Sequence, residues 1–156
     1  MIDRKHIGKT LPPAVLDIEK GRLRFFAKAI GETNPVYVDE AAALAAGYPS
    51  LPAPPTFLFT TELDAETFLP ALAGMGVDLR RILHGEQQFT YLAPVCAGDT
   101  ITVNSTIADI YDKKNGALEF LVKESTATNQ HGTTVATIRA IIVVRNPSNP
   151  SIPGSP

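Results

Sequence analysis

Apolar residues change their period halfway along the chain. In "VLDIEKGRLRFFAKAIG", Leu23, Phe26, Ala27 and Ile30 recur at the i, i+3, i+4, i+7 spacing of one helical face. Asp17 or Glu19 suits the start of this predicted helix, and Gly31 suits its left-handed C-terminal position. "DEAAALAAG" predicts a second, short helix with Asp39 as N-cap and Gly47 as stop. The next ten residues, "YPSLPAPPTF", hold four prolines and are expected to run extended and stiff. Pro55 suits the first turn of a third helix through Phe57, Phe59 and Leu63. Being apolar on several sides, that helix is expected to be deeply buried.

From Arg81 onward the period shortens to two. "RILHGEQQFTYLAP", "DTITVNSTIADIYDK", "ALEFLVKESTATNQ" and "TTVATIRAIIVVRN" are rich in Val, Ile, Thr and aromatics, often alternating. "KKNGA" and "NQHGT" carry the turn chemistry of hairpins, and "PVCAGD" reads as a tight turn before a strand. With "KTLPPAVLDI" as a first strand, the order is β-α-α-α-β-β-β-β. This is an α+β pattern whose simplest packing is an antiparallel sheet wrapped around the apolar helix. The domain is expected to span 1–146, with "NPSNPSIPGSP" supplying a disordered tail over 147–156. A single sheet of this kind leaves an edge and a face open, which favours dimerisation.

Composition narrows the function classes. The chain has 156 residues, 44% hydrophobic and 19% charged, with a net charge of −2 and no basic block. That excludes an electrostatic nucleic-acid footprint. No apolar run reaches the roughly 18 residues of a membrane span, and "MIDRKHIGKT" has no secretory h-region. One cysteine, Cys96, and three scattered histidines give no metal-ligand spacing. A cytoplasmic protein without metal or redox cofactor is expected.

The chemistry concentrates in "GETNPVYVDEA", where Glu32, Asn34, Pro35, Tyr37 and Asp39 share one constrained loop. This loop resembles the signature of the MaoC-like hydratases and dehydratases, Asp-x-Asn-Pro-x-His followed two residues later by Asp. "APPTF" and "LHGEQQFTYLAPVCAGDT" resemble the fatty-acid-synthase-like dehydratase N-terminal domain branch, and the likeness covers nearly all of residues 5 to 146. The resemblance implies a single hot-dog domain and syn hydration of an enoyl thioester, or its reverse. It implies a carboxylate and an imidazole to hold water, and a glycine N–H at the central helix to take charge from the thioester oxygen. Here Glu32 stands for the Asp and Tyr37 for the His, a phenol with a reference pKa of about 10. The glycine position falls at or beside Pro55, and proline has no N–H.

These departures point to a (3R)-hydroxyacyl-thioester dehydratase or enoyl-CoA hydratase subunit. It would be the acyl-binding half, with an impaired catalytic loop, beside a catalytic MaoC-type partner. Glu32, Tyr37 and His84 are the catalytic-position candidates; Asn34, Pro55, Phe57 and Gly85 are the substrate-binding candidates. The ligand implied is an acyl-CoA or acyl-carrier-protein thioester, in a homodimer or a heterodimer. Glu86 and Gln87 alternate on a strand, so at most one faces the site, and Phe57, Phe59 and Phe68 are candidates for an acyl tunnel. Three alternatives stay open. One is a self-sufficient homodimeric hydro-lyase with Glu32 as base, assisted by His84 or Tyr37. Another is a hot-dog thioesterase recruiting Glu62 or Asp64. The last is a non-catalytic acyl-CoA or lipid-binding module, which shares the binding expected of the subunit but has no partner.

Overall fold

Alternation in the second half builds one antiparallel sheet. The computed structural model describes residues 1–146; the expected tail, 147–156, lies outside the described residues. Strand β1 is Ala14–Asp17, followed by helix α1, Lys20–Ala29, and helix α2, Glu40–Ala45. Then come α3, Phe59–Asp64, and α4, Phe68–Gly74, before the long strands β2, Ile82–Tyr91, β3, Thr100–Lys113, β4, Leu118–Thr128, and β5, Thr134–Arg145. The sheet order is β1-β3-β4-β5-β2, antiparallel throughout, so β1 and β2 are the edges.

Inward side chains of three strands form the floor of the core: Ile101 and Val103 on β3, Leu121 and Ala127 on β4, Val135 and Ile138 on β5. The helical segment lies on this face, giving the sheet-around-helix arrangement the pattern predicts. Leu23 and Ala27 bring α1 into the core at 0% exposure, and Phe26 packs edge-on against Phe57 with ring centroids 5.3 Å apart. Burying a side chain such as Leu23 contributes about 1.5–3 kcal/mol. Ile30, expected on the same stripe, is half exposed at the helix end.

The third helix differs from its sequence expectation in two ways. It begins at Phe59 rather than at Pro55, and beyond Glu66, whose positive φ of 50° follows the end of α3, a further helix that the pattern did not predict, α4, carries Pro70 in its first turn. It is also buried on one side only. Phe57, Leu58 and Thr61 face the core, while Phe59 and Leu63 remain 41% and 44% exposed. Periodicity over so apolar a run could not tell a buried face from an uncovered one.

The predicted caps are present where the chemistry was specific. Asp39 Oδ1 accepts from Ala41 N at 2.8 Å, and Gly31 and Gly47 take φ of 72° and 88°. Neither start signal proposed for α1 caps it: Glu19 makes no side-chain cap bond, and Asp17 accepts from Thr100 Oγ1. In the β3–β4 hairpin Lys114, Asn115 and Gly116 all adopt positive φ, as the Asn-Gly signal requires.

Gly85 sits where the register of β2 against β5 shifts between His84 and Glu86. A Cβ there would lie 2.7 Å from Val143 Cγ2 and 3.1 Å from Ile141 O, so the bulge needs glycine for close approach. Gly85→Ala is expected to destabilise the fold by about 1–3 kcal/mol. The readout is a lower urea midpoint at unchanged m; an unchanged midpoint would show that β2 relaxes freely.

Candidate functional site

The loop between α1 and α2 is organised by its own side chains. Gly31 turns the chain, and Glu32 N donates back to Ala27 O at 2.9 Å. Glu32 Oε1 then accepts from both Thr33 N and Asn34 N, each at 2.8 Å. Asn34 Oδ1 accepts from Val36 N at 3.1 Å, and Pro35 begins a single 3₁₀ turn that ends at Tyr37. Arg24 ties the loop to α1 and α2, donating through Nε to Val38 O (2.9 Å) and through Nη2 to Glu40 (3.1 Å). The Glu32 carboxylate is therefore a cap for its own loop in this arrangement.

Tyr37 lines an open cavity of about 510 Å³ together with Tyr48, Pro52, Pro55, Tyr91 and Val95. Burial holds the Tyr37 phenol above its usual value, and the nearby Glu32 carboxylate and Tyr48 add to this. That shift favours the protonated phenol, which can donate a hydrogen bond. Tyr91 O–H donates to Pro55 O at 2.6 Å, clamping the proline-rich segment to the end of β2.

Although Tyr91 is 39% exposed overall, burial first and Tyr37 second push its phenol up to about 12. Between pH 10 and 12 the unfolded chain loses the Tyr91 proton that the folded chain keeps, so stability falls as pH rises through that window. Alkaline titration of tyrosinate absorbance is expected to show a component ionising near pH 12 that is absent in Tyr91→Phe. A titration without that component would contradict the clamp.

His84 stands elsewhere. Its ring stacks on Phe59 with centroids 5.1 Å apart, and Nε2–H donates to Gln87 Oε1 at 3.0 Å. The bulge at Gly85 puts Gln87 with His84, while Glu86 pairs with Arg139 at 3.4 Å. His84, Gln87 and Phe59 line two further hollows. One, about 320 Å³, adds Phe26, Thr56 and Phe89; the other, about 130 Å³, adds Leu63, Phe68 and Lys123. Pro55 leads into Thr56, and Tyr91 stacks on Phe89 at 6.1 Å, so an aromatic seam runs from the tyrosine cavity along β2. Phe57 lies under this seam in the core at 2% exposure, and Phe59 and Phe68 form its lining.

At the far end of the seam is a buried ion pair that sequence reading missed. Lys123, on β4, donates to Glu62 Oε2, and Ser105 Oγ donates to Glu62 Oε1 at 2.7 Å. The Lys123 ammonium sits 4.5 Å from the Phe68 ring centroid, and burial lowers its pKa against the opposing pull of Glu62. Asp64 pairs with Arg22. Both carboxylates considered for a thioesterase are thus engaged by cations.

The fold joins Glu32, Asn34 and Tyr37 on one loop and sets Pro55 beside Tyr37. It leaves His84 farther along the seam and gives Gly85 a packing role. Tyr48 and Tyr91 were missed, although Tyr91 shares the period-two face of Gln87 and Phe89. A larger hollow of about 550 Å³ lies on the polar outer face of the sheet, lined by Asn104, Thr126 and Arg139, and contains none of these residues. Among the described residues no cluster of three His, Cys, Asp or Glu forms a metal-ligand set, and no helix is long and apolar enough to cross a membrane.

Residues 5–138 match the sequence family described as FAS1-like, dehydratase domain region. A UPF0336 protein of Streptomyces griseus is 41% identical over 107 residues, 68% of this chain and 71% of that protein. Among solved structures, C-terminally truncated HadBC, a 3R-hydroxyacyl-ACP dehydratase complex of Mycobacterium tuberculosis, superposes with a TM-score of 0.74 at 27% identity. The match covers 88% of this chain and 96% of that one. The ChsH1-ChsH2 complex of Mycobacterium tuberculosis superposes at 0.67 and 22% identity over 90% of each chain, a likeness of fold.

Proposed function

The chain belongs to the FAS1-like dehydratase-region family, and on that premise we propose that it is the acyl-binding subunit of a (3R)-hydroxyacyl-thioester dehydratase or enoyl-CoA hydratase. Its catalytic acid and base come from a MaoC-type partner. The observation that carries this reading is the use of the Glu32 carboxylate as a cap for Thr33 and Asn34, beside a phenol that stays protonated. A carboxylate–imidazole pair holding water is replaced by groups that shape a loop and donate hydrogen bonds. Pro55, without an N–H, removes the backbone donor that would stabilise a developing oxyanion.

Retaining the fold without the chemistry makes sense in a two-chain enzyme, and the similar HadBC is a complex. The open edge supports a partner here. Strand β2 is an unpaired edge, and Leu83 on it is 49% exposed beside Phe59, Leu63 and Leu69 on α3 and α4. These groups form an apolar strip suited to a second hot-dog chain. The ligand is an acyl-CoA or acyl-carrier-protein thioester, handled in the cytoplasm, with the aromatic seam for its acyl chain.

The experiment is reconstitution: the chain with a MaoC-type subunit bearing an intact Asp/His loop, assayed for hydration of crotonyl-CoA. Rates above those of the catalytic subunit alone, with co-elution of the two chains, are expected. Failure to associate or to raise the rate would remove the subunit reading.

A further inference from the structure

The wall of the tyrosine cavity is poor in backbone donors. Pro52, Pro55 and Pro94 on it have no N–H. Ala53 N donates to Val95 O at 2.7 Å, and Leu92 N and Ala93 N both donate to Val135 O, at 2.8 and 3.2 Å. Tyr91 O–H is engaged by Pro55 O. The side-chain donors left for a ligand are the phenols of Tyr37 and Tyr48, both half-buried on this wall. No Lys, Arg, His, Asp or Glu lines the cavity among the described residues.

That combination selects a ligand group. An anion such as a free carboxylate would meet no cation here, and desolvating an unpaired charge is unfavourable. A neutral carbonyl suits neutral O–H donors. At about 510 Å³ the cavity falls within the usual range for small-molecule sites of roughly 300–1,000 Å³. Building on the acyl-binding reading above, we propose that Tyr37 and Tyr48 are the hydrogen-bond donors that hold the thioester carbonyl in this cavity. They take over carbonyl binding from the backbone N–H that Pro55 lacks, each offering an O–H donor to the carbonyl oxygen.

The test is calorimetric binding of butyryl-CoA and of S-butyl-CoA, the thioether that lacks the carbonyl oxygen. Each neutral hydrogen bond changes affinity by about fivefold, so the wild-type chain should prefer the thioester by roughly tenfold or more. The Tyr37→Phe/Tyr48→Phe double variant should bind both ligands alike. Tyr111→Phe, whose ring stacks on Phe120 at 4.8 Å on another part of the sheet, should keep the preference. Equal wild-type binding of the two ligands, or a preference that survives in the double variant, would overturn the phenol assignment and leave the acyl-binding reading standing. Binding of neither ligand would remove that reading and the phenol role with it.

Discussion

Lys123→Met is expected to destabilise the fold by about 3–5 kcal/mol, because it strands the Glu62 carboxylate in the protein interior. The Lys123 side chain is 3% exposed and that of Glu62 16%, so water does little for either charge. Ser105 donates to Glu62, and Ser105 and Ser125 hydroxyls lie 2.8 Å apart, so the loss propagates through a small polar network between α3, β3 and β4. For a chain of this size the change amounts to a fall in Tm on the order of 10 °C. Replacing both charges, as in Glu62→Leu/Lys123→Met, should recover most of the loss, since a buried pair and an apolar substitute of similar volume are often close in stability. A loss below about 1 kcal/mol in the single variant would mean that the pair behaves as an exposed one.

Glu32 separates architecture from catalysis. Removing a positioned general base commonly lowers the rate by about 10²–10⁴-fold. Here Glu32→Gln is expected to leave the hydration rate of the reconstituted complex within about twofold, while replacing the catalytic carboxylate of the MaoC-type subunit produces the full loss. Gln keeps a side-chain oxygen that can accept from Thr33 N and Asn34 N, so stability should also hold. Glu32→Ala removes that acceptor and should cost about 1 kcal/mol in thermal unfolding, the usual magnitude of a lost cap. Stability that responds to alanine alone, with activity indifferent to glutamine, is the signature of a structural carboxylate. A rate collapse in Glu32→Gln would instead identify the self-sufficient hydro-lyase.

The strands and hairpins were legible because alternation and turn chemistry are local. Ile101, Val103 and Ser105 alternate inward as the sequence suggests, and Asn115-Gly116 closes its hairpin through positive φ. The loop was legible for the same reason: Asn34, Pro35 and Asp39 act on N–H groups or dihedrals within two residues of themselves. What the sequence did not disclose depends on long-range packing. Lys123 and Glu62 are 61 positions apart, and nothing local marks either as buried. Tyr48 and Tyr91 reach Tyr37 from a helix end and a strand end, so the cavity exists only after the sheet has curled. Helix α4 was not foreseen because its buried residues, Phe68 and Leu72, make too short an apolar repeat to mark a helix. His84 was drawn into the site by its motif, whereas the bulge at Gly85 directs it to Gln87.

The most direct measurement is hydration of crotonyl-CoA and a longer trans-2-enoyl-CoA by the purified chain alone, followed through loss of enoyl absorbance and paired with acyl-CoA binding. The expected result is binding without turnover, with hydration appearing only when the MaoC-type subunit is added. Turnover by the chain alone that collapses in Glu32→Gln would contradict the acyl-binding role and return catalysis to this loop.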